Sequence, residues 1–183
     1  MHRAVTENER TLGALLQVAY SGERAAAYAY RGHWRSSYNP DERDRIRTIE
    51  EEEWHHRHQV GEMLAELGLS PSSWRESKAT FIGRSLGALC YVSGWFAPMY
   101  GAGKLECRNV NEYETAARYA RDCDRDEWVD CLLTMAEVEW DHEYYFRSQV
   151  LTHWLGKLLP LWPIPAAREN IRAAFQADSP ASA

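Results

Sequence analysis

Apolar residues recur at alternating intervals of three and four along four long stretches of the chain. This spacing places them on one face of a helix and predicts four amphipathic helices, over residues 7–34, 41–67, 105–123 and 128–149. A further stretch, residues 79–103, crowds its apolar residues together. No stretch of useful length shows the strict alternation of a half-buried strand. The pattern therefore predicts an all-α chain.

Residue types at the ends of these stretches support the boundaries. The pair Asn39–Pro40 cannot continue a helix, and the acidic pair Asp41–Glu42 suits the first turn of the second one. Gly68 is a plausible C-cap. The sequence Ser73–Glu76 has the form of a capping box for the helix that follows.

Prolines at positions 160, 163 and 165 end the last long helix, and a short helix is expected over residues 166–176. The final residues, 178–183, are expected to be disordered. A chain of 183 residues that is 45% hydrophobic can bury one sizeable core. We therefore expect a single domain over residues 1–183, with its core in 7–157 and a C-terminal extension in 158–183.

The segment 79–103 could occupy several environments. From Ser85 to Gly103 it holds nineteen residues without a charge, which is the length at which a membrane span must be considered. Four glycines, Pro98 and several polar residues argue against a span. The alternatives are a buried helix, or an amphipathic segment that lies on a membrane surface or lines an apolar access route.

Each of the four helical stripes is interrupted by polar side chains at positions where the core should be. The second and fourth helices each carry a glutamate and a histidine three residues apart, which face the same way, and the first and third each carry one glutamate. The six residues are Glu23, Glu53, His56, Glu112, Glu139 and His142. They are the candidate metal-ligating and catalytic residues.

Four carboxylates that face one another in a core would cost several kcal/mol each in lost hydration, unless cations balance them. One glutamate from each of two helices and Glu-x-x-His from each of the other two form the ligand set of di-iron and di-manganese carboxylate bundles. Mixed carboxylate and imidazole ligation suits these metals better than calcium or structural zinc. The pattern predicts two divalent metal ions, either iron or manganese.

Other polar residues near these positions have simpler interpretations. In the run Glu50–His58, helical phase leaves only Glu53 and His56 in the stripe and makes the remaining charges a solvated flank. Tyr30 and Tyr119 share the faces of Glu23 and Glu112, where ordinary core packing is favoured over a role at the metals. The remaining residues of interest are expected to be exposed or structural histidines and buried, unreactive cysteines: His33, His55, His58, His153, Cys90, Cys107, Cys123 and Cys131.

Composition limits the partners. The net charge of −6, the pI near 5.7 and the absence of a cationic run exclude a protein that binds nucleic-acid backbones. The cysteines show no C-x-x-C spacing and the first ten residues are too polar for a signal peptide, so a cytoplasmic location is expected. Eight Trp and ten Tyr suit a helical core or a pocket for an apolar, ring-bearing ligand.

Several segments resemble the ferritin-like superfamily and, more closely, the demethoxyubiquinone hydroxylase family of ubiquinone biosynthesis. Similar segments are Ser21–Glu23, Glu53–Met63, Leu86–Lys104, Cys107 with Glu112 and Tyr119, and Glu137–His142. The resemblance covers about residues 10–150. Tyr113 departs from the family pattern, the connection between the third and fourth helices is shorter, and the Trp- and Pro-rich end from Trp154 onward has no counterpart.

The resemblance implies a ferritin-like antiparallel four-helix bundle with an extra apolar helical segment before the third ligand helix. It implies that the six residues bind two iron ions, with Glu53 and Glu139 as bridges. It also implies that residues 79–103 contact the inner face of a membrane to collect a lipid quinone. The partners would then be the quinone or another apolar substrate, O2 and an electron donor, with a homodimer as a further expectation.

The leading functional hypothesis is a di-iron monooxygenase that hydroxylates an apolar ring. A second hypothesis is iron oxidation or peroxide scavenging, as in ferritins and rubrerythrins, although no rubredoxin-like four-cysteine module is present. A third is a non-enzymatic helical bundle that binds lipid or a partner helix.

Overall fold

The computed structural model describes residues 6–177, and most of these residues are helical. The six α-helices of this part of the chain are α1 (Glu7–Ser36), α2 (Pro40–Glu66), α3 (Ser73–Leu89), α4 (Phe96–Asp122), α5 (Asp126–Thr152) and α6 (Arg168–Ala177). A 3-10 helix, Trp154–Lys157, follows α5. No strand occurs among the described residues. The all-α prediction is confirmed, as is the short helix predicted near residue 170.

The apolar segment 79–103 is not one helix. It comprises the second half of α3, a turn over residues 90–95, and the first residues of α4. The predicted start of the third ligand helix, residue 105, is therefore nine residues later than the observed start at Phe96. Within residues 6–177, no helix combines the length and the apolar character that crossing a bilayer requires. The expectation of disorder for residues 178–183 lies outside the described residues.

The chain divides into two compact units, Gly13–Pro98 and Met99–Ala183 with Met1–Leu12. The expectation of one domain over residues 1–183 stays a prediction. In the unit Gly13–Pro98, α2 starts as the sequence predicts: the Asn39 side chain accepts hydrogen bonds from the backbone of Asp41 and Glu42.

In this unit α3 packs against α1 through small residues. A Cβ added at Gly83 would lie 2.4 Å from the Ala25 carbonyl oxygen, and one added at Gly32 would lie 2.3 Å from the Gly87 backbone. Only glycine allows two helix backbones to approach this closely. The opposite face of α3 is consequently left without a covering helix in this unit, and its apolar side chains are exposed, including Phe81 at 73% and Leu89 at 53%. The buried-helix alternative for residues 79–103 is wrong for this face.

The start of α3 is held by an ionic cluster instead of the predicted capping box. Glu76 accepts hydrogen bonds from Ser21 (2.8 Å), Arg24 (2.9 Å) and Arg57 (2.6 Å). Burial alone would raise the pKa of Glu76, but these donors outweigh it and hold the pKa below its usual value. The N-cap of α3 is Ser72, which makes no side-chain cap bond. The cluster therefore ties α3 to both α1 and α2.

In the unit that contains α4 and α5, the C-terminal residues fold back onto α5. Arg172 of α6 binds Asp130 at 2.6 Å and Glu137 at 2.7 Å, and the Trp140 indole donates to the Ala166 carbonyl at 2.8 Å. Ile171 and Phe175 of α6 are buried. The extension predicted over residues 158–183 is thus packed against the helices as far as residue 177.

Candidate metal centre

Within the unit Gly13–Pro98, helices α1 and α2 bring three of the predicted ligands together. Glu23 on α1 and the pair Glu53 and His56 on α2 are all buried, with at most 3% of each residue exposed. One ligand atom from each lies within 4.8 Å of those of the other two. We call these three residues the α1–α2 triad.

Within the other unit, α4 and α5 form a second cluster of the same composition. Glu139 and His142 on α5 are fully buried, and the His142 Nδ1 lies 3.3 Å from a Glu139 carboxylate oxygen. The glutamate from α4 is Glu106, also fully buried, and one ligand atom from each of the three lies within 4.8 Å of the others. We call Glu106, Glu139 and His142 the α4–α5 triad.

The predicted ligand Glu112 is not part of this triad. Its side chain is 43% exposed and pairs at 3.5 Å with Arg108, which is itself 72% exposed. The prediction placed the stripe of α4 on Leu105, Glu112, Ala116, Tyr119 and Cys123, whereas the buried positions of the helix are Met99, Gly103, Glu106, Cys107, Val110, Tyr113, Ala116, Ala117 and Ala120. Glu112 lies six residues after Glu106, which on an α-helix is about 240° around the axis. The structure therefore places Glu106, and not the predicted Glu112, on the buried face of α4 beside Glu139 and His142.

Glu106 has a supporting contact of the kind that ligating carboxylates commonly have. The Asn109 amide donates to its Oε2 at 2.7 Å from one turn further along α4. Such a contact fixes the orientation of the carboxylate. The sequence signal for this residue was the spacing of Met99, Gly103, Glu106 and Val110, which keeps the helical intervals of four and three.

A second correction concerns Glu50, which was predicted to lie on the solvated flank of α2. It is 6% exposed. Its carboxylate accepts hydrogen bonds from Arg31 (2.7 Å), Trp34 (2.7 Å) and Trp54 (3.2 Å). These donors satisfy the charge, so Glu50 joins α1 to α2 and is not a ligand. His55 and His58 are exposed as predicted.

The sequence also singled out the four cysteines and two tyrosines, Tyr30 and Tyr119. Cys107 and Cys123 are buried and all four cysteines are free. Burial raises the pKa of the Cys90 thiol to about 11, which leaves it protonated and poorly nucleophilic at neutral pH. Tyr30 is buried, whereas Tyr119 is partly exposed. None of these residues adds a ligand to either triad.

The donor sets fit iron. Each triad offers two carboxylates and one imidazole in a buried environment, and a divalent cation would balance the two negative charges of a triad. Oxygen and nitrogen ligands without thiolates favour iron or manganese over structural zinc. The triads are therefore chemically suited to one divalent metal ion each.

Comparison with protein families identifies the family to which the chain belongs. The family model described as "Ubiquinone biosynthesis protein COQ7" matches residues 10–143, which include all six residues of the two triads. Comparison with curated proteins and with solved structures gives no significant match.

Proposed function

Since the chain belongs to the family of the ubiquinone biosynthesis protein COQ7, we propose that it is a di-iron hydroxylase that acts on the ring of a ubiquinone precursor. The family belongs to the ferritin-like superfamily, which agrees with the all-helical structure. The observation that carries the proposal is the pair of buried triads, each built from one glutamate and one Glu-x-x-His motif.

We propose that each of the two triads would hold one iron ion. Four carboxylates and two neutral imidazoles balance the charge of two ferrous ions. The equal composition of the triads supports this arrangement, because each triad offers one ion two carboxylates and one imidazole.

Two ferrous ions, when bound, would supply electrons for activating O2, so that one oxygen atom would be inserted into a ring C–H bond and the other would leave as water. An external electron donor balances the reaction with two electrons, and two protons are consumed. The protein holds the ions on rigid helices and keeps bulk water away, since all six ligands are almost completely buried. Asn109 orients Glu106 through its hydrogen bond.

The test is turnover of a defined substrate. Protein loaded anaerobically with ferrous iron, then given a reductant, 18O2 and a demethoxyubiquinone with a short side chain, should yield a product with one 18O atom. Glu106→Gln should abolish turnover, and the matched variant Glu112→Gln should retain it. Oxidation and retention of iron well beyond two ions per chain, without a hydroxylated product, would support iron handling instead. A chain that binds no metal would support the non-enzymatic bundle.

We propose further that the exposed apolar face of α3 docks on a membrane surface, where a lipid quinone resides. The face carries Phe81, Ile82, Leu86 and Leu89 and continues into Tyr91 and Val92, each at least 38% exposed. Exposed basic residues, Arg75, Lys78 and Arg84, lie on the same helix. Apolar side chains flanked by cations are the combination that binds anionic lipid surfaces.

Vesicle sedimentation tests this docking. The double variant Phe81→Ser and Leu89→Ser should reduce binding to anionic vesicles at least tenfold, because both side chains are exposed and their loss leaves the core intact. The matched control is Leu158→Ser with Ile164→Ser, which removes two apolar side chains that are 71% and 77% exposed from elsewhere in the chain. Equal vesicle binding by the wild type and the α3 variant would contradict the proposal. If the wild type forms a dimer that the α3 variant does not, the apolar face of α3 binds a second copy of the chain and not a membrane.

A further inference from the structure

The residues that follow the family match pack against the helices that carry one of the triads. The match ends at residue 143, and we call residues 158–177 the C-terminal strap. Trp162 lies in the strap between the 3-10 helix and α6 and is only 6% exposed. Its indole N–H donates to the carboxylate of Glu143 at 2.5 Å. Glu143 directly follows the triad residue His142.

The indole of Trp162 contacts both α4 and α5. A Cβ added at Gly103 of α4 would lie 2.3 Å from the Trp162 ring and 3.1 Å from the Cβ of Phe146 on α5. Gly103 precedes Glu106 by three residues and Phe146 follows His142 by four, so each contact is one helical turn from a triad residue on the same helix face. The ring therefore contacts both of the helices that carry the α4–α5 triad and lies about one turn from the triad.

Polar contacts hold this ring in one place. Arg147 binds Glu143 at 2.6 Å, lies over the Trp162 ring at 5.0 Å, and donates to the Pro163 carbonyl at 3.0 Å. The Cys107 thiol, next to Glu106, donates to the same carbonyl at 3.3 Å. Tyr100 of α4 packs edge-on against the ring at 5.2 Å and donates to the Pro160 carbonyl at 2.6 Å. Glu143 and Arg147 are 2% and 9% exposed, so these are buried bonds with few competing water molecules.

We propose that Trp162 is a positioning residue for the metal centre: the strap uses its indole to fix the spacing of α4 and α5, and with it the geometry of the Glu106, Glu139 and His142 triad. The inference rests on the proposed function for the presence of a metal and goes beyond it in assigning a role to a segment outside the family match. Removing a group that orients a metal ligand without touching the metal commonly lowers the metal affinity by about 10–100-fold.

Titration of the metal-free full chain with Co2+ under anaerobic conditions tests the proposal, because the visible spectrum of Co2+ reports the arrangement of its ligands. Trp162→Phe should weaken one of two Co2+ sites by about tenfold or more and change its absorption bands, while the other site is retained. Unchanged affinities and bands for Trp162→Phe would overturn the proposal. A wild-type chain that binds no Co2+ would instead refute the metal centre itself.

Two control variants separate positioning from general loosening. Trp95→Phe removes the same type of bond, an indole N–H to a carboxylate, from the pair Trp95 and Glu42 (3.0 Å) in the unit Gly13–Pro98. Arg172→Gln releases α6 from Asp130 and Glu137 without touching Trp162. Both should retain the Co2+ spectrum of the wild type. A change with Arg172→Gln as large as with Trp162→Phe would show that any loosening of the strap suffices, and would overturn the role of the indole.

Hydrogen exchange of the wild type gives an answer even if Trp162→Phe does not fold. If the strap and the triad are coupled, metal binding should slow amide exchange in residues 158–164 as well as in α4 and α5. Slowing in α4 and α5 with no change in residues 158–164 would contradict the proposal.

Discussion

The two glutamates of α4 allow a sharp test of the metal centre, because Glu106→Gln and Glu112→Gln are the same change six residues apart. Glu106 is fully buried, and one of its carboxylate oxygens lies within 4.8 Å of ligand atoms of Glu139 and His142. Glutamine keeps the size of the side chain but removes half of the negative charge of the triad. Glu112 is 43% exposed and pairs with a more exposed arginine.

The two changes should differ widely in their effect on metal affinity. Removal of groups that merely support a ligand costs about 10–100-fold in metal affinity, so loss of a charged ligand should cost at least about 100-fold, or about 2.7 kcal/mol. The exposed pair between Arg108 and Glu112 is worth about 0.5 kcal/mol or less, and its loss should leave metal affinity within about twofold of the wild type.

Competitive titration with Zn2+ and a chromophoric chelator, with circular dichroism to confirm folding, measures both variants. We expect Glu106→Gln to lose one site and Glu112→Gln to behave as the wild type. Loss of affinity in Glu112→Gln with retention in Glu106→Gln would refute the helical phase assigned to α4 and restore Glu112 as the ligand.

Two further predictions concern stability. Gly32→Ala should destabilise the fold by about 1–3 kcal/mol in urea unfolding, because the new Cβ would lie 2.3 Å from the Gly87 backbone. In the control variant Gly22→Ala, on the same helix, the new Cβ meets nothing within 4 Å, so this change should stabilise the fold by up to about 1 kcal/mol. Equal effects of the two changes on the free energy of unfolding would refute the close approach of α1 and α3. Burial lowers the pKa of His33 to about 4 from 6.5, so the unfolded chain binds this proton more readily and the fold should lose about 3 kcal/mol from this group as the pH falls from 6.5 to 4. His33→Gln should flatten that part of the stability profile, and an unchanged slope would contradict the buried, neutral imidazole.

The spacing of apolar residues was sufficient to predict the buried face of those helices in which the apolar stripe is strong. On α2 and α5 the stripe contains large aliphatic or aromatic residues on both sides of the Glu-x-x-His motif, so Glu53, His56, Glu139 and His142 were assigned to the buried face, where the structure has them. Glu23 was found in the same way between Leu16 and Tyr30, which are both buried.

Glu106 was missed because the buried face of α4 is made largely of small residues. Gly103, Cys107, Ala116, Ala117 and Ala120 give a weak apolar signal, and the exposed Leu105 gives a false one. The helix also begins within the apolar segment 79–103, so no clear N-terminal boundary showed which face of α4 is buried. Small residues permit close packing without marking the buried face, which is a limit of periodicity itself.

Contacts between residues distant in sequence could not be predicted from local pattern. Glu50 was assigned to solvent because its partner Arg31 lies on another helix. Glu76 has the spacing of a capping box with Ser73, but Arg24 and Arg57 offer a charged alternative that the local sequence does not contain. The contact of Trp162 with Glu143 likewise depends on how the strap folds back.

The measurement that tests the central claim most directly is the iron content of the protein. Metal-free protein titrated anaerobically with ferrous iron and then oxidised should retain two iron ions per chain, because each triad is proposed to hold one ion. One ion or none per chain would contradict the assignment of the triads as iron sites.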